Sequence, residues 1–304
     1  MLWQRFNKVI IILRRESIWS LLYNHYRVTR VQIGQYWPWS PTFILATTRY
    51  LRNYIGQSLT HRTRRDIVNL QAGYLRGRLR RSFFLELERP RRALWRSADA
   101  PRFAIWLSAG LSRPYEGDFA LTFKLDGSAI YSLSFSIGPN LASPAAGGLA
   151  LLVGKVQGER GRLADIRLAT KLLKDISPAS LLVSAAEGIA LALNLSHLCG
   201  VAGSEQLCQS RPGAEYFDYD SFWESLSGRR IGDWYQFDVP FPHKPPSQTA
   251  THHRRRARNR RLFRDAVREE VRAAFVERFA RPGAPRNPVG ARGEAHAAAA
   301  LRSG

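Results

Sequence analysis

The pair Asp126-Gly127 stands between two runs of alternating character, Phe119 to Leu125 and Ala129 to Ile137. An Asp-Gly pair accepts the positive φ angles of a tight two-residue turn, and alternation at period two turns one face of each run toward a core. The two runs therefore predict an antiparallel hairpin, which commits this part of the chain to a sheet. Phe103, Ile105 and Leu107 show the same alternation upstream. Leu149 to Val156 is apolar on both faces, the pattern of a central strand.

Helical spacing surrounds these strands. Ile67, Leu70, Gln71, Tyr74 and Leu75 recur at helical intervals within Arg65 to Leu79. Met1 to Tyr36 reads as one or two amphipathic helices, broken by Trp37-Pro38-Trp39-Ser40-Pro41. After Arg81, Phe83, Leu85 and Leu87 alternate with Phe84, Glu86 and Glu88, which predicts a strand. Gly161 to Leu173 and Pro178 to Leu195 read as helices, the second with Ser177 as its cap and Pro178 just inside. His197 to Ala202 and Trp234 to Pro240 read as short strands.

Thr251 to Phe279 reads as a basic helix with the apolar stripe Phe263, Val267, Val271 and Phe275, and the tail from Pro282 as disordered. The fold class is α+β: an antiparallel-rich mixed sheet flanked by helices, with an N-terminal helical lead-in (1–81), the α+β domain (82–280) with its basic C-terminal helix, and a tail (281–304).

The formal charge of +22 calls for an acidic partner, whether nucleic acid, anionic lipid or an anionic cofactor. Only Lys8, Lys124, Lys155, Lys171, Lys174 and Lys244 are lysines, and such an arginine skew also arises from GC-rich coding. Cys199 and Cys208 have no companions at metal-ligand spacing, which excludes a zinc site or disulfide framework on pattern. Val9 to Leu13 is too short for a membrane span or signal-peptide core, so a cytoplasmic protein is expected. The seven histidines are scattered and no nucleophilic triad can be assembled from sequence.

Three groups of residues are candidates for chemistry. Gln157, Gly158 and Gly161 close a central strand ahead of a helix, where amides and helix dipole suit an anion. Asp218, Asp220 and Glu224 sit among aromatics; Asp220, directly before SFWESL, is expected to cap a helix rather than to serve as an acid or base. Arg254, Arg255, Arg256 and Arg258 open an arginine run to Arg264 that contains no acidic residue, an anion-binding candidate. Few aromatics interrupt that run, so base-stacking recognition of nucleic acid is disfavoured against lipid or lipopolysaccharide.

Glu116-Gly117, then FALTFKLDGSAIYSLSFS, LALLVGKVQGERG, IRLATKLLKDISPASLLVSAAEGIALAL and FDYDSFWESLSGRR before a basic helix, follow one another in an order and spacing that resembles the VirK/YbjX family of bacterial proteins. The resemblance implies a role in virulence, envelope stress or antimicrobial-peptide resistance, with a link to the DNA-damage response, and names no reaction. The layout of Gln157, Gly158 and Gly161 is similar to the pyrophosphate loop of GNAT-type N-acyltransferases, which implies a GNAT-like sheet and coenzyme A or an acyl carrier as ligand. The arginine run from Arg254 to Arg264 makes an anionic lipid or lipopolysaccharide precursor at the inner membrane surface the expected partner. This chain departs from the family pattern after the second long helix. Gly203 stands where Asn is expected, Gln206 where His is expected, and Cys208 and Gln209 where Tyr and Arg are expected.

Overall fold

The computed structural model describes residues 49–51, 53–110, 116–207, 217–242 and 254–283. The N-terminal amphipathic helices, the Trp37 to Pro41 break, Cys208, Gln209 and the tail beyond residue 283 lie outside the described residues. Within them the chain is α+β. Its helices are α1 (His61–Arg78), α2 (Arg81–Glu88), α3 (Leu163–Leu172), α4 (Pro178–Ala192), α5 (Tyr219–Ser225) and α6 (Arg254–Phe279). Its strands are β1 (Trp95–Arg96), β2 (Phe103–Ala109), β3 (Phe119–Leu125), β4 (Ser128–Pro139), β5 (Leu149–Gly158), β6 (His197–Val201), β7 (Arg229–Ile231) and β8 (Trp234–Asp238).

The strands form one sheet in the order β1-β2-β3-β4-β5-β6-β8-β7. Asp126 and Gly127 take positive φ, and the β3–β4 hairpin forms as the turn dictates. Every neighbouring pair is antiparallel except β5 and β6, which the crossover through α3 and α4 makes parallel. Ser177 caps α4 by accepting from the Ser180 N–H at 3.2 Å, with Pro178 inside the first turn.

One sheet face carries the main core. Phe119, Leu121 and Phe123 of β3, Leu133, Phe135 and Ile137 of β4, and Leu151 and Val153 of β5 pack there with buried residues of α4 and α6. Val267, Val271, Phe275 and Phe279 form the apolar stripe of α6, while Phe263 is only half-buried. A smaller cluster joins Tyr54, Ile55, Ile67 and Val68 to Leu152, Cys199 and Trp234.

Residues 83–87 are helical, not a strand as the alternation predicts. Phe83, Phe84 and Leu87 are buried while Leu85 is 51 % exposed, so the burial follows a helical i, i+1, i+4 stripe that the alternating pattern hides. Phe83 sets its ring edge against Phe84, Phe275 and Phe279, and this aromatic packing outweighs the local period. The two shortest strands, β1 and β7, carry too few residues to declare a period.

Candidate functional site

The parallel pair is short. Ala150 to Val153 align with His197 to Gly200, and beyond this β5 runs on to Gly158 with β4 as its strand partner. At the point of parting the β4–β5 register shifts: Phe135 faces Val153 and Ser134 faces Lys155, so Gly154 is the extra residue of a bulge. A β-carbon at Gly154 would overlap the Glu116 carbonyl oxygen, so glycine alone allows the Glu116 backbone this close.

The β5 backbone beyond the bulge must find other partners, because buried peptide groups are costly when unpaired. Side chains supply them. The Gln206 amide donates to the Gly154 carbonyl at 3.0 Å, and the Val156 N–H donates to the Tyr219 hydroxyl at 3.1 Å. Trp223, one turn along α5, lies flat against Gly200, where a β-carbon would sit 2.5 Å from its Cζ2, and its indole N–H donates to the Val201 carbonyl at 2.9 Å. The gap between β5 and β6 is thus filled from α5 and from Gln206, the residue that stands where the family resemblance calls for His.

The Gln157 to Gly161 segment lies at the far end of this gap. Gln157 and Gly158 are still in β5, opposite Ser132 and Tyr131, and the turn proper is Glu159 to Arg162. Gly158 has a packing reason to be glycine: a β-carbon would come 2.8 Å from Ile166 Cδ1 of α3 and 3.2 Å from the Tyr131 ring. Gly161 is different. It has a φ of +75° and open space around it, so it serves the turn.

Asp218, rather than Asp220, caps α5: its Oδ1 accepts from the Ser221 N–H at 3.0 Å and its Oδ2 from the Ser221 hydroxyl at 2.6 Å. Those bonds hold its carboxyl below the usual range. Asp220 lies inside the first turn and accepts from the Gly203 N–H at 3.0 Å, tying α5 to the end of β6. Glu224 accepts from the Tyr235 hydroxyl at 3.2 Å. These carboxylates are spent on three different tasks and do not form an acid/base pair.

A buried polar cluster that the sequence did not announce lies against β4. Asp118 Oδ2 takes the Arg49 guanidinium at 2.8 Å, the Tyr54 hydroxyl at 2.8 Å and the Gln71 amide. The Tyr54 hydroxyl also meets Ser136 at 2.8 Å, and Gln71 Oε1 accepts from the Ile137 N–H at 2.7 Å. Burial raises the Asp118 carboxyl against the lowering pull of Arg49 and its hydrogen bonds. The cluster pins α1 and the Arg49 to Tyr54 segment to the sheet, which is a structural duty.

A cavity of about 300 Å³ opens between α4, the end of α5, Phe241-Pro242 and the first half of α6. Of the four arginines singled out from sequence, Arg254 and Arg258 line it. Arg255 does not, and Arg256 is turned to Asp175, in the turn between α3 and α4, which Arg260 also approaches at 3.7 Å. Arg261, Arg264 and Arg268 complete the basic wall. The i, i+4, i+7 recurrence of Arg254, Arg258 and Arg261 is the signal that could have found it.

Among the described residues, no group of His, Cys, Asp and Glu could hold a metal ion, and no helix is long and apolar enough to cross a membrane. A family model described as a protein of unknown function (DUF535) matches residues 42–273. No curated protein and no solved structure matches the chain.

Proposed function

Because the chain belongs to the DUF535 family of proteins of unknown function, and membership names no activity, we propose from its geometry that it binds coenzyme A or an acyl carrier beside the parting of β5 and β6. The observation that carries this reading is the four-residue parallel ladder, followed by the bulge at Gly154 and the turn into α3. One parallel pair that parts, joined here through α3 and α4, supports a GNAT-like reading in which a pantetheine arm would lie along the freed strand edge. In this chain the arm would have to displace Tyr219 from Val156 and Gln206 from Gly154. The pyrophosphate would rest on the Glu159 to Arg162 turn at the N-terminus of α3. This reading assigns no catalytic residue, and with Gln206 in the position of the expected His it favours acyl-carrier binding over transfer.

The test is a thermal shift with coenzyme A and acetyl-CoA. Both are expected to raise the melting temperature, and Gly161→Asp to abolish the rise by bringing a negative charge to the turn. Gly158→Asp is a poor test because it also collides with Ile166. No shift with any acyl donor overturns the reading.

A second reading is favoured by the exposure of Arg254, Arg255, Arg256 and Arg258 along the opening turns of α6. In it the chain is a basic adaptor for anionic lipid, lipopolysaccharide precursor or nucleic acid, peripheral to the inner membrane. Affinity that falls steeply with salt and drops on Arg255→Ala supports it; salt-independent binding overturns it. Both readings are compatible with a role in envelope stress or antimicrobial-peptide resistance. Deletion of the gene should then sensitise cells to cationic peptides, and unchanged sensitivity would count against that role.

A further inference from the structure

We propose that the cavity between α4 and α6 is a binding site for a small organic phosphate. The site goes beyond the acyl-carrier reading and shares no residue with the β5 turn. Five arginines line the cavity against two carboxylates, Glu187 and Asp265. Both carboxylates are already engaged. Arg268 Nη1 lies 3.2 Å from Glu187 Oε1 and 3.1 Å from Asp265 Oδ1, and Glu187 also accepts from the Phe241 N–H at 2.7 Å. Arg268 is thereby neutralised within the protein, and the remaining guanidinium charge is in excess.

Arg258 and Arg261 have no carboxylate within ion-pair distance among the described residues. Arg264 is half-buried; burial lowers its pKa, Asp265 and Glu187 oppose that, and the neighbouring Arg260 and Arg261 lower it further. Arg258 and Arg261, two guanidinium forks on one wall with no carboxylate in reach among the described residues, are matched by a multivalent tetrahedral oxyanion, which accepts from more than one fork at once.

The rest of the wall fits such a ligand. Ser180 and Ser184 of α4 and Ser227 after α5 bring hydroxyls, while Val183, Leu226 and Phe241 bring apolar surface. The cavity is at the lower end of the size that holds small molecules. The class implied is a phosphomonoester or diphosphate with a compact apolar or aromatic portion, met either as a soluble metabolite or as a lipid headgroup. A single carboxylate would leave most of the positive charge unmatched.

Calorimetric titration of the full chain with inorganic pyrophosphate at low salt tests the site. One-site binding is expected, with Arg258→Gln and Arg261→Gln each weakening it by about tenfold, since a hydrogen bond to a charged group contributes roughly that much. Arg255→Gln, outside the cavity, should leave it unchanged. Absence of pyrophosphate binding, equal affinity in the Arg258/Arg261 double variant, or an equal loss with Arg255→Gln would each overturn the proposal. Arg261→Lys keeps the charge but loses the fork and should still weaken binding, which guards against misfolding of the neutral variants. Capture on phosphatidic acid vesicles, competed by pyrophosphate, identifies a lipid headgroup as the source; pyrophosphate binding without capture identifies a soluble phosphate. Acetyl-CoA binding lost with Gly161→Asp but kept in the arginine variants belongs to the β5 turn, so the two readings fail separately.

Discussion

Gly188 of α4 lies directly against the backbone of Arg268 of α6. A β-carbon at 188 would overlap the Arg268 carbonyl oxygen and come 3.2 Å from the Arg272 nitrogen. Toward their N-termini the same two helices leave the arginine-lined cavity between them. Gly188→Ala should therefore destabilise the protein by about 1–3 kcal/mol, the usual cost of overpacking, measured as a lower denaturant midpoint. An unchanged midpoint would show that the helices are not held this close.

Tyr219→Phe tests how the parted strands are sealed. The substitution keeps the ring and removes the hydroxyl that accepts from the Val156 N–H. A buried donor left without a partner costs about 1–3 kcal/mol, so the variant should unfold at lower denaturant with an unchanged slope. Stability equal to that of the parent would mean that water satisfies Val156 instead.

Asp118 governs a pH dependence. Burial raises its carboxyl in the folded state, despite Arg49, Tyr54, Gln71 and Ser136, so the folded protein holds this proton more tightly than the unfolded chain does. The stabilisation is fully present below the unfolded carboxyl pKa of about 4 and is lost as pH rises through the raised folded value. Asp118→Asn should flatten that fall in a plot of unfolding free energy against pH. A parallel curve in the variant would move the titration to another group.

Cys199 should be inert in the folded state. It is fully buried beside Asn140, and burial pushes its thiol up to about 12, against a slight lowering by the Ala142 backbone. In a Cys208→Ser background, a thiol reagent is expected to label the chain only at the rate of unfolding. Fast labelling under native conditions would contradict the packing of β6 against the smaller core cluster.

The sequence carried the hairpin plainly, because Asp126-Gly127 and the flanking alternation state the same structure at two levels. It misled at Phe83 to Leu87. A run with apolar residues at 83, 84, 85 and 87 satisfies either period, and the decision came from Phe275 and Phe279, remote in sequence. It misled again by two residues at α5, where Asp218 and Asp220 are equally good caps on paper and the Gly203 amide claimed Asp220.

The arginine cavity was half legible. The basic run was visible, but which of its members share a wall depended on where Asp175 drew Arg256 and on the serines of α4, brought in by the crossover. Asp118 gave no signal because its partners Arg49 and Tyr54, Gln71, and Ser136 come from three separate stretches of chain. Glu187 is similar: only the fold brings Arg268 and the Phe241 amide to it.

The short parallel ladder also divides the sheet into blocks of unequal persistence. Strands β2 to β5 are laced by long antiparallel ladders, whereas β6, β8 and β7 are joined to them along the strands only from Ala150 to Val153. Hydrogen exchange should see this as a seam. The amides of β6, β8 and β7 would open together, as one cooperative unit of lower free energy, while those of β3 and β4 exchange only on global unfolding.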